Sequence, residues 1–272
     1  VSCFGLSDGL VTVSVESDVK NGFTYKLSGE ADQSSLDTFS VFSNLLAGSY
    51  EYIAIDNNGC SDTNTIEVKE PDTLSFVSAI KRTYAGGFNI SCKDSATGEV
   101  TLTIAGGTKS YEYSVDGGSY QSSNVFTDLT DGDHNFSIQD KNGCAIDTIL
   151  NFTEPKKLEA IAEQDSVNCF AGSDGEVLVI VDGEVPGFIY TLTGQANQTS
   201  TNDSSTFVGL SAGLYTYSVS DDNGCFVDGS ISVLQPDTFK IIDLTIKDYN
   251  GFEISCKDSA NGEIRIHAIG AT

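Results

Sequence analysis

The sequence contains no methionine, few basic residues and only two histidines. Its 272 residues include 14 Lys and Arg against 39 Asp and Glu, which gives a formal net charge of -25. So acidic a surface repels nucleic acid and anionic membranes, and it suits solubility, divalent cations or basic partners. No run of about 18 apolar residues occurs, so the sequence predicts no membrane insertion.

The missing methionine also means that no initiator residue is present. No charged and then apolar leader opens the chain either, as a secretory signal would. We therefore expect the sequence to be an internal piece of a longer secreted polypeptide.

Motifs for catalysis are absent as well. The sequence has no Gly-x-Ser-x-Gly, no His-Glu-x-x-His and no phosphate-binding loop. His134 and His267 stand in unrelated sequence settings, so a shared catalytic or metal role is not indicated. The sequence predicts that the protein is not an enzyme.

One pentapeptide is present three times, at residues 56–60, 140–144 and 221–225. It reads Asp-Asn-Asn-Gly-Cys, then Asp-Lys-Asn-Gly-Cys, then Asp-Asp-Asn-Gly-Cys. Asn-Gly between alternating apolar stretches is a strong hairpin signal and predicts a type I′ turn with positive φ at both residues. The predicted structural turns are Asn58-Gly59, Asn142-Gly143 and Asn223-Gly224.

Three of the four prolines, Pro71, Pro155 and Pro236, divide the chain into four stretches, 1–71, 72–155, 156–236 and 237–272. We call these stretches repeats 1 to 4. Within them apolar residues alternate with polar ones, as at Val11, Val13 and Val15, which is the period of β-strands with one wet face. No helix is predicted. We expect an all-β protein of tandem immunoglobulin-like β-sandwich domains, with the first strand missing from repeat 1 and repeat 4 truncated.

A Leu-x-x-Gly-x-Tyr pattern precedes each turn and resembles the tyrosine corner of immunoglobulin-like sandwiches. Its last residue is Tyr50 in repeat 1, His134 in repeat 2 and Tyr215 in repeat 3. We expect these three residues to occupy equivalent corners.

Seven cysteines without a C-x-x-C pair favour disulfides formed in an oxidising compartment over a zinc site. Each of repeats 1 to 3 has a first cysteine near its start and a turn cysteine after Asn-Gly. We expect one intradomain disulfide per repeat, and the alternative is buried free thiols. The expected pairs are Cys3–Cys60, Cys92–Cys144 and Cys169–Cys225, with Cys256 unpaired.

The aspartates that open the turns, Asp56, Asp140 and Asp221, have two interpretations. Aspartate forms turns by accepting hydrogen bonds from nearby backbone N–H groups, and that is the role we favour. Carboxylates gathered on loops also bind Ca²⁺, although no Asp-x-Asp-x-Asp-Gly loop is present. Calcium is therefore the alternative, and no cofactor is predicted.

The motifs of repeat 3 resemble those of the SprB repeat family. They are Val-Asn-Cys-Phe-Ala-Gly-Ser-Asp-Gly at 167–175, Gly-Phe-Ile-Tyr at 187–190, Gly-Leu-Ser-Ala-Gly-Leu-Tyr-Thr-Tyr at 209–217 and Asp-Asn-Gly-Cys at 222–225. Repeat 2 departs from the family pattern at Lys93-Asp94 and at His134. The resemblance implies a giant adhesin on the surface of gliding Bacteroidota, exported by type IX secretion and moved by the gliding machinery.

We therefore expect an extracellular, structural and adhesive stalk segment whose partners are neighbouring repeats and a substratum or surface polysaccharide. Two other classes stay open. The segment would be a recognition module if its loops bind a specific polysaccharide or protein, or an accessory module if the full gene encodes a secreted hydrolase.

Overall fold

A computed structural model describes residues 1–16 and 22–270 of the chain. These residues form antiparallel β-strands joined by turns, and a three-residue 3₁₀ turn at Ala85–Gly87 is the only helical segment among them. None of the described helical structure has the length or hydrophobicity to cross a membrane. The predicted all-β architecture is confirmed.

The strands fall into four successive groups. In repeat 1 they are β1 (Gly9–Ser14), β2 (Phe23–Leu27), β3 (Gln33–Ser35), β4 (Phe39–Leu45), β5 (Gly48–Asp56) and β6 (Ser61–Val68). In repeat 2 they are β7 (Ser75–Lys81), β8 (Gly98–Ala105), β9 (Glu112–Val115), β10 (Val125–Leu129), β11 (Gly132–Gln139) and β12 (Ala145–Phe152). In repeat 3 they are β13 (Glu159–Asp165), β14 (Gly175–Asp182), β15 (Phe188–Leu192), β16 (Gln198–Ser200), β17 (Ser204–Leu210), β18 (Gly213–Ser220) and β19 (Phe226–Val233), and in repeat 4 β20 (Lys240–Ile246) and β21 (Ile264–Ile269).

Repeats 1 to 3 each divide their strands between two sheets. Repeat 3 has the orders β13-β14-β17 and β16-β15-β18-β19, and repeat 2 has β10-β8-β7 and β12-β11-β9. Repeat 1 has β1-β4 and β3-β2-β5-β6, and in repeat 4 β20 pairs with β21. This arrangement is the tandem immunoglobulin-like sandwich that the sequence predicts.

Alternation along the strands builds the cores. In β14, Val177, Val179 and Val181 are buried, while Glu176 and Asp182 at the ends of the strand are exposed. The three valines join one cluster with Tyr190 and Phe207, which come from different sheets of repeat 3. A shared apolar cluster between two sheets is the main source of stability in such a domain.

The core of repeat 1 and the core of repeat 3 each contain a fully buried tyrosine, and its hydroxyl donates a hydrogen bond to a backbone carbonyl. Tyr190 Oη donates to the carbonyl oxygen of Asn202 at 2.8 Å, and Tyr25 Oη donates to that of Asp37 at 3.1 Å. Burial raises the pKa of Tyr190 to about 12, with a smaller contribution from the negative charge of Asp203. A buried hydroxyl must have such a partner, because an unpaired one would be costly.

The chain separates into two compact units. One comprises residues 1–82 and 96–152, and the other comprises residues 83–95 and 153–272. The stretch around Cys92 therefore belongs to the second unit, together with repeats 3 and 4. The division of the chain at Pro71, Pro155 and Pro236 stays a prediction.

We expect Tyr190→Phe to lower the free energy of unfolding by about 1 kcal/mol, because the Asn202 carbonyl loses its donor. Tyr190→Ala should cost about 3–5 kcal/mol, because it also leaves a cavity. Urea unfolding followed by near-UV circular dichroism measures both values. Tyr120→Phe, at an exposed position, is the matched control and should change the value by less than about 0.5 kcal/mol; equal losses in the two Phe variants would contradict the assignment.

Candidate functional site: the cysteine turns and their disulfides

The aspartate that opens each turn holds the turn together. Asp56 Oδ1 accepts hydrogen bonds from the backbone N–H groups of Asn58 and Cys60, both at 2.8 Å. The corresponding bonds at residues 140–144 and 221–225 measure 2.9–3.0 Å. The three copies therefore share one geometry as well as one sequence.

The backbone of the turn differs from the predicted type I′. The N–H of Gly59 donates to the carbonyl of Asp56 at 3.0 Å, and φ is +87° at Gly59 but not positive at Asn58. This is a three-residue loop in which a type I turn ends in a left-handed glycine. The aspartate side chain explains the difference, because its two bonds stabilise the longer loop.

Calcium has no cluster of ligands at these turns. The Oδ1 atoms of Asp56, Asp140 and Asp221 face backbone N–H groups of their own turns. In the part of the chain that the structure describes, no group of three or more His, Cys, Asp or Glu side chains lies close enough to hold a metal ion. The geometry of the three carboxylates is that of turn caps.

The pKa values of two turn aspartates shift in opposite directions. Burial acts to raise the pKa of Asp140, but the N–H of Thr108, 2.7 Å from Oδ2, and the turn N–H groups lower it below the usual value. At Asp221 burial prevails over the turn N–H groups and raises the pKa. Stability from Asp140 is therefore lost as pH falls through its lowered pKa, whereas the stability linked to protonated Asp221 is lost as pH rises through its raised pKa.

Two disulfides connect first cysteines to turn cysteines. Cys3 bonds to Cys144 with a Cα–Cα distance of 5.8 Å, and Cys92 bonds to Cys225 with 5.6 Å. Each bond joins the first cysteine of one repeat to the turn cysteine of the following repeat. Both ends of each bond lie within one compact unit.

The predicted intradomain pairs are therefore wrong. Neither Cys3–Cys60 nor Cys92–Cys144 forms, and Cys169–Cys225 does not form either. The structure leaves Cys60 and Cys169 as exposed free thiols, in the same state as Cys256. The sequence predicts that disulfides form, but each bonded first cysteine is joined to the turn cysteine of the next repeat and not to that of its own repeat.

The length of one strand explains the shift. In repeat 1 the N-terminal amino group of Val1 donates to the Lys69 carbonyl at 2.9 Å, and the N–H of Gly5 donates to Glu70 at 2.6 Å. The loop of Cys3 therefore lies beyond the end of β6, whereas Cys60 precedes the start of β6. Eight residues of strand separate the two sites by about 26 Å, far more than the 4.4–6.8 Å that a disulfide spans between Cα atoms.

Repeats 2 and 3 anchor their first-cysteine loops in the same way. Lys93 Nζ and the N–H of Asp94 both bind the carboxylate of Glu154. The N–H of Ala171 donates to Gln235 Oε1 at 3.0 Å. Sequence reasoning missed these anchors, although a Glu or Gln directly before each boundary proline is a signal that could have found them.

The asparagine of the turn adds a second contact beside each disulfide. Asn142 Nδ2 donates to the carbonyl oxygen of Ser2 at 2.8 Å. Asn223 Nδ2 donates to that of Ser91 at 3.1 Å, and Asn223 Oδ1 accepts from the N–H of Ala85 at 2.9 Å. We call each combination of this contact and the adjacent disulfide a junction; the first comprises residues 2–3 and 142–144, and the second residues 91–92 and 223–225.

The corner residues make one common bond. Tyr50 Oη donates to the carbonyl of Leu46 and Tyr215 Oη to that of Ser211, each at 3.0 Å. In repeat 2, His134 Nε2 lies 3.0 Å from the carbonyl of Thr130. Each partner is four residues upstream, so the imidazole occupies the same position as the phenol.

His134 differs from the tyrosines because it also has an ionic partner. Its Nδ1 lies 2.6 Å from Asp116 Oδ2, and the ring is largely buried against Phe152 at a centroid distance of 5.5 Å. Burial acts to lower the pKa of His134, but the hydrogen bonds to Asp116 and to the Thr130 carbonyl raise it above the usual value. Protonated His134 therefore stabilises the fold, and this stability is lost as pH rises through the raised pKa.

Comparison with known families confirms the resemblance carried by the sequence. The SprB repeat model matches residues 89–119, a stretch that includes Cys92 and β8. The match falls in repeat 2 rather than in repeat 3, whose motifs carry the resemblance most fully. No curated protein sequence matches the chain.

Three of the solved structures that match the chain are as follows. A C-terminal 282-residue fragment of intimin, solved with the intimin-binding domain of its translocated receptor, is 13% identical, with 60% of this chain and 62% of that one covered and a TM-score of 0.31. The N-terminal eight immunoglobulin domains of the Down syndrome cell adhesion molecule are 12% identical, with 88% and 37% covered and a TM-score of 0.35. A tetra-tandem repeat from the extending region of a large adhesion protein is 13% identical, with 97% and 84% covered and a TM-score of 0.27. The chain thus spans less than two thirds of the intimin fragment and of the eight immunoglobulin domains.

Alkylation of the native, unreduced protein should label Cys60, Cys169 and Cys256, because these thiols are exposed. Peptide mapping without reduction should then recover the linked pairs Cys3–Cys144 and Cys92–Cys225. Reduction before alkylation is the control and should label all seven cysteines. Recovery of a Cys3–Cys60 peptide would contradict the structure.

Asp116→Asn should lower the pKa of His134, because it removes the carboxylate that stabilises the imidazolium. Titration of the His134 ring protons by NMR measures the change. Asp133→Asn is the matched control, since Asp133 acts on His134 only through a weaker charge effect. An unchanged His134 pKa in Asp116→Asn would show that the pair does not govern the titration.

Proposed function

We propose that this chain is part of the non-enzymatic stalk of a large adhesin on a cell surface. The observation that carries the proposal is the shift of the disulfides, which bond Cys3 to Cys144 and Cys92 to Cys225. A covalent link between neighbouring domains holds them together in series. An array that transmits load along its length gains resistance to separation at every link.

The same pairing rule predicts partners for the three cysteines that are free in this chain. Cys60 is the equivalent of the bonded turn cysteines, and Cys169 and Cys256 are the equivalents of the bonded first cysteines. In a chain that carries further repeats, Cys60 would bond to the first cysteine of the repeat before it. Cys169 and Cys256 would bond to turn cysteines of repeats that follow.

The four-repeat division supports the same proposal. The strand groups β1–β6, β7–β12, β13–β19 and β20–β21 lie between the prolines that divide the sequence. Domains in series contact mainly their neighbours, which suits a stalk of any length. The cell-surface location, the type IX export route and the link to gliding come from the resemblance to SprB repeats.

The chemistry of the chain suits an extracellular stalk. Disulfides persist in oxidising surroundings outside the cell. The net charge of -25 opposes aggregation of long chains and repels nucleic acid. The substratum or surface polysaccharide would then be bound by another part of the adhesin.

A binding experiment separates the stalk from a recognition module. Biosensor measurements with the oxidised, immobilised chain should give no saturable binding to a panel of bacterial and algal polysaccharides up to about 1 mM, a dissociation constant that corresponds to about −4 kcal/mol of binding free energy. The reduced and alkylated chain is the control for nonspecific adsorption. Saturable binding that a soluble polysaccharide competes away would overturn the stalk proposal in favour of recognition.

A further inference from the structure

The two disulfides cross each other in chain order. Cys92 lies inside the loop closed by Cys3 and Cys144, and Cys144 lies inside the loop closed by Cys92 and Cys225. Pairing within each repeat would instead give separate loops joined by single lengths of main chain. The crossed order changes which main-chain cleavages divide the protein into fragments that are no longer covalently bonded.

Three stretches of chain connect the same two disulfides. Residues 3–92 lead from the first disulfide to the second, residues 92–144 lead back to the first, and residues 144–225 lead to the second again. The stretches are therefore parallel covalent connections between two points. Separation of those points requires a cut in all three.

We propose that the crossed disulfides keep the chain in one covalent piece when a protease cuts it between Cys3 and Cys225. The benefit to a surface stalk rests on the proposed function, whereas the crossed connectivity does not. One cut, or two cuts in different stretches, leaves at least one intact connection. The fragments on each side of a cut stay bonded through Cys3–Cys144 or Cys92–Cys225.

The connections between repeats are the places where protease cleavage would otherwise divide the chain. Asp72 and Thr73 are exposed between β6 and β7, and Lys156 and Lys157 are exposed between β12 and β13. Exposed connections between folded elements are preferred sites of proteolytic cleavage. With one disulfide inside each repeat, a single cut at either connection would release the preceding part of the chain.

The test introduces cleavage sites at three exposed positions, one in each stretch. A recognition sequence for a site-specific protease is inserted after Pro71, after Ser119 or after Lys156, singly and in combination. After cleavage, free thiols are blocked and the products are compared on denaturing gels with and without reductant. Reduced samples should show the expected fragments and so verify that cleavage is complete.

Without reductant, every single and double cut should leave one species of full mass. The triple cut should give two species, one with residues 1–71 bonded to 120–156 and the other with residues 72–119 bonded to 157–272. Mass spectrometry identifies these compositions. Release of residues 1–71 by the single cut after Pro71 would overturn the proposal.

A variant with Cys3→Ser and Cys144→Ser is the matched control, because it keeps only the Cys92–Cys225 bond. In this variant the cut after Pro71 should release residues 1–71, whereas the cut after Ser119 should release nothing. If an insertion disturbs folding, brief trypsin digestion of the unmodified chain provides a second measurement at Lys156 and Lys157. Neither result depends on the polysaccharide-binding outcome, so the two proposals fail separately.

Discussion

The structure depends on one geometric constraint, the short reach of a disulfide relative to the length of a strand. A disulfide spans 4.4–6.8 Å between Cα atoms, and the strand between the turn cysteine and the end of its repeat spans about 26 Å. Glu70 fixes the first-cysteine loop at the far end of this strand in repeat 1. The two cysteines of repeat 1 therefore lie at opposite ends of its sandwich, and Cys3 bonds to Cys144 of repeat 2 instead of to Cys60.

The fold could be predicted from the sequence because its signals are local. Alternation along β14, the positions of the turns and the corner pattern each depend on a few neighbouring residues, and all three recur. The type I′ geometry predicted for the turns is wrong, because the aspartate side chain stabilises a loop of three residues. The disulfide partners could not be predicted in this way, because repetition shows that Cys3, Cys92 and Cys169 are equivalent but does not show the register of their bonds. Pairing within a repeat and pairing shifted by one repeat give the same sequence pattern.

Conserved geometry within this chain also accommodates different chemistry. His134 makes the corner bond that Tyr50 and Tyr215 make elsewhere, yet its ion pair with Asp116 helps to raise the pKa of the imidazole in the corner of repeat 2. Asp140 and Asp221 cap the same turn, yet one pKa is lowered and the other raised. The backbone of each repeat therefore fixes the position of these side chains, and the residues around them fix their charge.

Crossed disulfides also determine which part of the chain bears load. Fully extended, the main chain from Cys3 to Cys225 would reach about 770 Å, at ~3.5 Å for each of roughly 220 residues. The shortest covalent path passes from Cys3 to Cys144, back along residues 92–144 and through Cys92 to Cys225, and would reach only about 180 Å. That path contains β8 and β11, whose buried residues include Val100, Leu102, Phe136 and Ile138. When the chain is pulled from Cys3 and Cys225, this path would become taut before the two longer stretches, residues 3–92 and 144–225, and it runs through strands of repeat 2.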